Sequence, residues 1–103
     1  MNYFHLEEIE RKEIFPGITS KIFNTETMTL SYVSAEAEAS FSEHAHEQEQ
    51  VIMVLEGHLE ITVDGETTLM GPGDVVVIGP NVKHSGKFKG PSKTLDVYHP
   101  QRY

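Results

Sequence analysis

His58-Leu59-Glu60-Ile61-Thr62-Val63-Asp64-Gly65 carries the clearest structural signal in the chain. Leu59, Ile61 and Val63 alternate with His58, Glu60 and Thr62, the two-residue period of a half-buried strand. Asp64-Gly65 then signals a type I′ hairpin turn, because both central positions of that turn need positive φ. Thr67 to Met70 supplies the returning strand, which stops at Gly71-Pro72-Gly73-Asp74. Upstream, Val51 to Leu55 is a short apolar run ending at Gly57, Met28 to Val33 reads as another strand, and Pro16-Gly17 opens a further run through Ile22. Downstream, Val75 to Ile78 is apolar at every residue, as a strand covered on both faces would be, until Gly79-Pro80-Asn81 breaks it. The last run, Lys93 to Tyr98, ends at Pro100. Nothing between Phe15 and Tyr98 has a helical period of useful length, so the class is all-β, with helix conceivable only in the first dozen residues.

The 103 residues can bury one core but not two, which predicts a single domain over 1–103, with residues 1–12 as an N-terminal arm and 13–103 as the barrel. Eight basic residues stand against 16 acidic ones, for a formal net charge of -8. Nucleic-acid partners are not expected, because phosphate binding needs clustered Lys and Arg. Lys83, Lys87, Lys89 and Lys93 do cluster around His84, and they read as charges guarding strand edges. The absence of cysteine excludes disulfides, thiolate zinc sites and cysteine nucleophiles. Met1 to Glu13 lacks the apolar core of a signal peptide, and the longest apolar runs are far too short to span a bilayer, so a cytoplasmic protein with no membrane partner is expected.

Chemistry concentrates at His44-Ala45-His46, Gln50 and His84. On an extended strand, residues two apart leave the same face, so His44, His46 and Gln50 share a parity. Two imidazoles preset on one face need only a third from a neighbouring strand to complete a facial trio for a transition metal, and His84 is the candidate. Gln48 has the same parity as Gln50 and competes with it, whereas Glu43, Glu47 and Glu49 have the opposite parity and are expected in water. His5, His58 and His99 are isolated and are given no role. Phe41, Met53, Tyr32, Ile52, Val54 and Phe88 are expected as apolar wall or core, with Ile52 and Val54 sharing the parity of Gln50.

Together these residues resemble the cupins, a family of small β-barrels. The first cupin motif is HxH, three residues, an acidic or amide ligand, six residues and glycine, matched by His44, His46, Gln50 and Gly57. The second places glycine and aspartate before a strand, then a proline turn and a histidine, matched by Gly73-Asp74, Pro80-Asn81 and His84. Two departures stand out: Gln50 replaces the usual glutamate, and Gly79 stands where a first proline is common. The resemblance implies an antiparallel double-stranded β-helix, or jelly-roll barrel, holding one divalent transition metal on His44, His46, Gln50 and His84. Zinc, nickel, iron and manganese all remain open as that ion. A neutral carboxamide leaves the charge of the ion uncompensated, making it a stronger Lewis acid than with glutamate.

A narrower resemblance is to the pectin-degradation cupins of the KdgF type, which share HxH with glutamine and end in an Asp, an aromatic two residues on and an Arg four beyond. Asp96, Tyr98 and Arg102 keep that spacing. The resemblance implies opening of unsaturated uronates to linear ketones. Asp96 would transfer protons, Arg102 would bind a carboxylate, and Tyr98 would supply a wall or hydrogen bond. A small carboxylated sugar would be the substrate and a homodimer the assembly. Alternation alone disagrees: it puts Leu95 and Val97 on the core face and Asp96 outside. If Asp96 and Tyr98 do face the cavity, Leu95 and Val97 must be covered by another sheet or a second subunit. Two other functions stay open, a non-haem metal dioxygenase acting on a small substrate and a sugar- or ligand-binding cupin without catalysis.

Overall fold

In a computed structural model, which describes residues 1–103, Asp64 and Gly65 both have positive φ (49° and 82°) and join strands β6 (Leu59–Val63) and β7 (Glu66–Met70) in an antiparallel hairpin. Pro16-Gly17, with Gly17 at φ 76°, does the same for β1 (Arg11–Phe15) and β2 (Ile18–Asn24). The remaining strands are β3 (Thr29–Ala35), β4 (Ser40–His44), β5 (Glu49–Glu56), β8 (Val75–Ile78), β9 (His84–Phe88) and β10 (Ser92–His99). The only helical element is a 3-10 turn at Leu6–Glu8, and no helix is long and apolar enough to cross a membrane. The expected arm gives its last two residues, Arg11 and Lys12, to β1.

The strands form two antiparallel sheets, one in the order β1-β2-β3-β10-β5-β8 and the other β4-β9-β6-β7. Between them lies the core, including Ile18, Val33, Ile52, Val54, Leu59 and Phe88. This is the jelly-roll arrangement, in which two sheets bury their inner faces against each other. Gly57 sits where β5 hands over to β6 at φ 80°. A Cβ there would stand 2.5 Å from the backbone oxygen of Pro91, so the position admits only glycine.

The six-stranded sheet corrects three expectations. Val75–Ile78 is an edge strand paired only to β5, with Val75 51% and Val77 60% exposed, so its apolar run is not covered on both faces. Met53 is exposed and Tyr32 half-buried, both on the outer face rather than in the core. On β10, burial falls on Ser92, Thr94, Asp96 and Tyr98, while Leu95 and Val97 face outward. Alternation had the period right and the face wrong, because here it is the outer face that is apolar.

Candidate metal centre

His44 is the last residue of β4, and a shift of register between Phe41 and His44 places it directly opposite His84, the first residue of β9. Without that extra residue, strict alternation from the inward Phe41 would turn His44 away from the cavity. His46 follows in the β4–β5 connection and Gln50 lies on β5, so the set is not built on one continuous strand as parity alone implied. Glu43, Glu47 and Glu49 are exposed, as expected. Gln48 points away from the cavity, donating from Nε2 to the Gln101 carbonyl at 3.0 Å.

The structure brings the three rings together. Centroids of His44 and His84 are 4.4 Å apart, His46 and His84 5.0 Å, and His44 and His46 5.6 Å. Candidate ligand atoms of all three lie within 4.8 Å of one another. Each Nδ1 sits 2.9 Å from a backbone carbonyl two residues away: Ser42 for His44, Gln48 for His46 and Val82 for His84. A carbonyl oxygen only accepts, so each Nδ1 carries the proton and each Nε2 the lone pair, the form in which imidazole binds a metal. Nε2 of His84 is buried with no hydrogen-bond partner, a condition buried polar atoms avoid unless something ligates them. Nε2 of His46 lies 3.1 Å from Oε1 of Gln50, so with the ring neutral and its proton on Nδ1 two lone pairs face each other, an arrangement that a shared metal ion would make favourable. That gap is close to the ~3 Å between neighbouring ligands of one ion bound at about 2.1 Å. Burial holds both His46 and His84 below the usual imidazole range, with Arg102 adding to the effect, which keeps the rings neutral and able to ligate. The donor set fits a divalent transition ion.

Gln50 is oriented by what lies behind it. Its Nε2 donates to Oδ2 of Asp96 at 3.1 Å and to the Tyr98 hydroxyl at 3.0 Å, which turns Oε1 toward the histidines. The hydroxyl of Thr94 donates to the other Asp96 oxygen at 2.8 Å. Asp96 is 7% exposed, and burial raises its carboxyl to about 7 against the opposing pull of Thr94, Gln50 and Arg102. Burial, with the Asp96 charge second, pushes Tyr98 well above the ordinary phenol range, so its hydroxyl stays protonated.

Arg102 is held rather than frayed. Its guanidinium carbon lies 5.3 Å from the Tyr98 ring centroid and 5.2 Å from that of Tyr103, within cation–π range of both rings. Its backbone N–H donates to the Thr29 hydroxyl at 3.0 Å, and Asn24 Nδ2 donates to the Tyr103 carbonyl at 2.7 Å. One cavity is lined by His44, His84, Gln50, Asp96, Tyr98 and Arg102 together with apolar residues. Sequence reasoning missed Tyr103, Thr94 and the pair Ile14-Phe15 in this lining. Thr94 had a local signal in its two-residue spacing from Asp96; the others are brought in by tertiary contacts and by a bulge that leave no local pattern.

Residues 31–98 match the Cupin domain family. The chain is 31% identical over 98 residues to an uncharacterised protein of Streptomyces coelicolor, covering 94% of this chain and 91% of that one. Among solved structures, KdgF from Halomonas sp. superposes with a TM-score of 0.92 at 28% identity, over 99% of this chain and 96% of the other. An RmlC-like cupin from Shewanella frigidimarina superposes with a TM-score of 0.93 at 23% identity, over 99% and 93% of the two chains, which shows the shared fold. A two-sheet barrel with histidines converging from β4, the β4–β5 connection and β9, together with these matches, makes this chain a member of the cupin family and a small cupin similar to KdgF.

Proposed function

We propose that this protein is a metal-dependent enzyme that opens small unsaturated uronates to linear ketones. The observation that carries the proposal is the hydrogen-bonded line from Thr94 through Asp96 to Gln50, which joins a carboxyl raised to about 7 to the candidate metal ligands in a cavity that also holds Arg102. A divalent ion on His44, His46, Gln50 and His84 supplies Lewis acidity toward substrate oxygens.

Ring opening of such a sugar removes a proton from the hydroxyl as the ring C–O bond breaks, and returns one to the alkene carbon as the enol becomes a ketone. The net proton count is zero, so one carboxyl that alternates between its two forms suffices. Asp96 has the properties for that work, since a pKa near the working pH favours both halves of the exchange. Thr94 and Gln50 fix its two oxygens. Arg102, held against two tyrosine rings, offers a planar fork to the substrate carboxylate. Tyr98 accepts from Gln50 and, staying protonated, keeps its own O–H to donate.

The same reading includes a homodimer. Outward-facing Leu95 is in register with Tyr32 and Met53, and Val97 with Leu30 and Val51, and the rows continue to Val75 and Val77 on the edge strand. An uncharged stripe of this width is where two chains of net charge -8 can meet without opposing acids.

The test is turnover of an unsaturated galacturonate under nitrogen by metal-loaded protein. Consumption without oxygen and formation of the linear ketone are expected. Turnover that needs oxygen would favour the dioxygenase reading, and binding with the sugar recovered unchanged would favour a non-catalytic cupin.

A further inference from the structure

A second irregularity brings two apolar side chains into the cavity that Asp96 and Arg102 also line. Along β1, Arg11 and Glu13 pair with Lys21 and Thr19 on the outer face, and strict alternation would send Phe15 outward as well. Between Glu13 and Phe15 the register shifts by one, so that Phe15 pairs with Ile18, a core residue 2% exposed. The bulge turns two consecutive side chains, Ile14 and Phe15, into the cavity. Bulges of this kind recur beside functional sites, where they re-aim a side chain. The Phe15 ring lies 6.0 Å from the His44 ring and 5.9 Å from that of Phe41. Phe41 is wedged against Gly86, where a Cβ would stand 2.5 Å from its ring, so it is fixed by the core. Phe15 is only half-buried and packs against the core from its margin.

We infer that Phe15 is a specificity-determining residue, a flat platform for the apolar face of a six-membered ring whose carboxylate edge is turned toward Arg102 and the histidines. The inference rests on the reading that a small ring-bearing carboxylate occupies this cavity, and it adds the requirement that the ring present one face of C–H groups. A compact polar anion such as acetate would reach the cationic side and gain nothing from Phe15.

The experiment compares cyclohexanecarboxylate with acetate by calorimetric titration into zinc-loaded protein, in the parent, Phe15→Ala and Phe15→Leu, with zinc content and thermal unfolding recorded for each. The parent is expected to prefer the cyclic acid by about tenfold, the preference that follows from burying one ring face of roughly 60 Å². Phe15→Ala is expected to bring that ratio close to one while leaving acetate affinity and zinc content unchanged, and Phe15→Leu to fall between. An equal ratio in the parent and Phe15→Ala, no preference in the parent, or a parallel loss of acetate binding would each overturn the assignment. Zinc content separates these outcomes from a failure of the metal site, and the turnover assay on unsaturated galacturonate separates them from a failure of the proposed reaction.

Discussion

Asp96 is the residue on which chemistry and stability meet. Its carboxyl titrates near 7 in the folded chain against an ordinary value of 3.8, so between those values the folded state holds a proton that the unfolded state has released. Stability of the metal-free protein should therefore fall as pH rises from about 4 through 7 on this group's account, by an upper bound on the order of 4 kcal/mol. Asp96→Asn removes the titration while its Oδ1 can still accept from Gln50 Nε2 and its Nδ2 can donate to the Thr94 hydroxyl, as a protonated carboxyl would, so metal-free variant and parent should differ little at pH 5 and the variant should be clearly more stable at pH 8. An equal difference at both pH values in urea unfolding would contradict this. The comparison cancels His46 and His84, whose lowered values act in the opposite sense, weakening the fold as pH drops through 6.5. The same substitution should reduce turnover by roughly 10² to 10⁴ with metal content retained, the usual size of a proton-transfer contribution. The sequence named Asp96 through the spacing to Tyr98 and Arg102, while its own alternation pointed the other way. That conflict arose because Leu95 and Val97 are apolar for the sake of the outer face, which a single chain does not reveal.

Strands carry the site through two irregularities, in β1 and β4, each turning a side chain inward that strict alternation would turn out. The existence of most strands was legible from period and turn residues, and the Asp64-Gly65 hairpin in particular needed nothing more. The bulges were not legible, because an extra residue has no composition of its own, so the convergence of His44 on His84 was readable only as spacing. Gly86 on β9 exposes this level to experiment. An alanine there would place its Cβ 2.5 Å from Phe41 and 3.0 Å from Leu59, both packed against the core beneath His44. Gly86→Ala should destabilise the protein by about 1 to 3 kcal/mol, the range for overpacking, and weaken metal retention by displacing the Phe41 wall. Unchanged urea midpoints would show that the contact relaxes at no cost.

At the level of the whole molecule, an acidic chain encloses a cavity lined by His44, His84, an arginine and a carboxyl that is half-protonated near neutrality. Anionic ligands must then be recognised locally, since the field of the whole protein repels them. The outer face of the six-stranded sheet predicts a dimer by analytical ultracentrifugation at micromolar concentration. Val97→Lys, at the centre of the stripe and on the side of β10 away from Asp96, should yield monomers with the metal site intact. A parent that sediments as a monomer would contradict the homodimer. Whether His44, His46, Gln50 and His84 hold an ion is decided by elemental analysis of the purified parent beside His84→Ala. One transition-metal ion per chain in the parent and its loss from a folded His84→Ala variant is the predicted result; a folded parent that retains no metal after loading, or equal metal in both proteins, would contradict it.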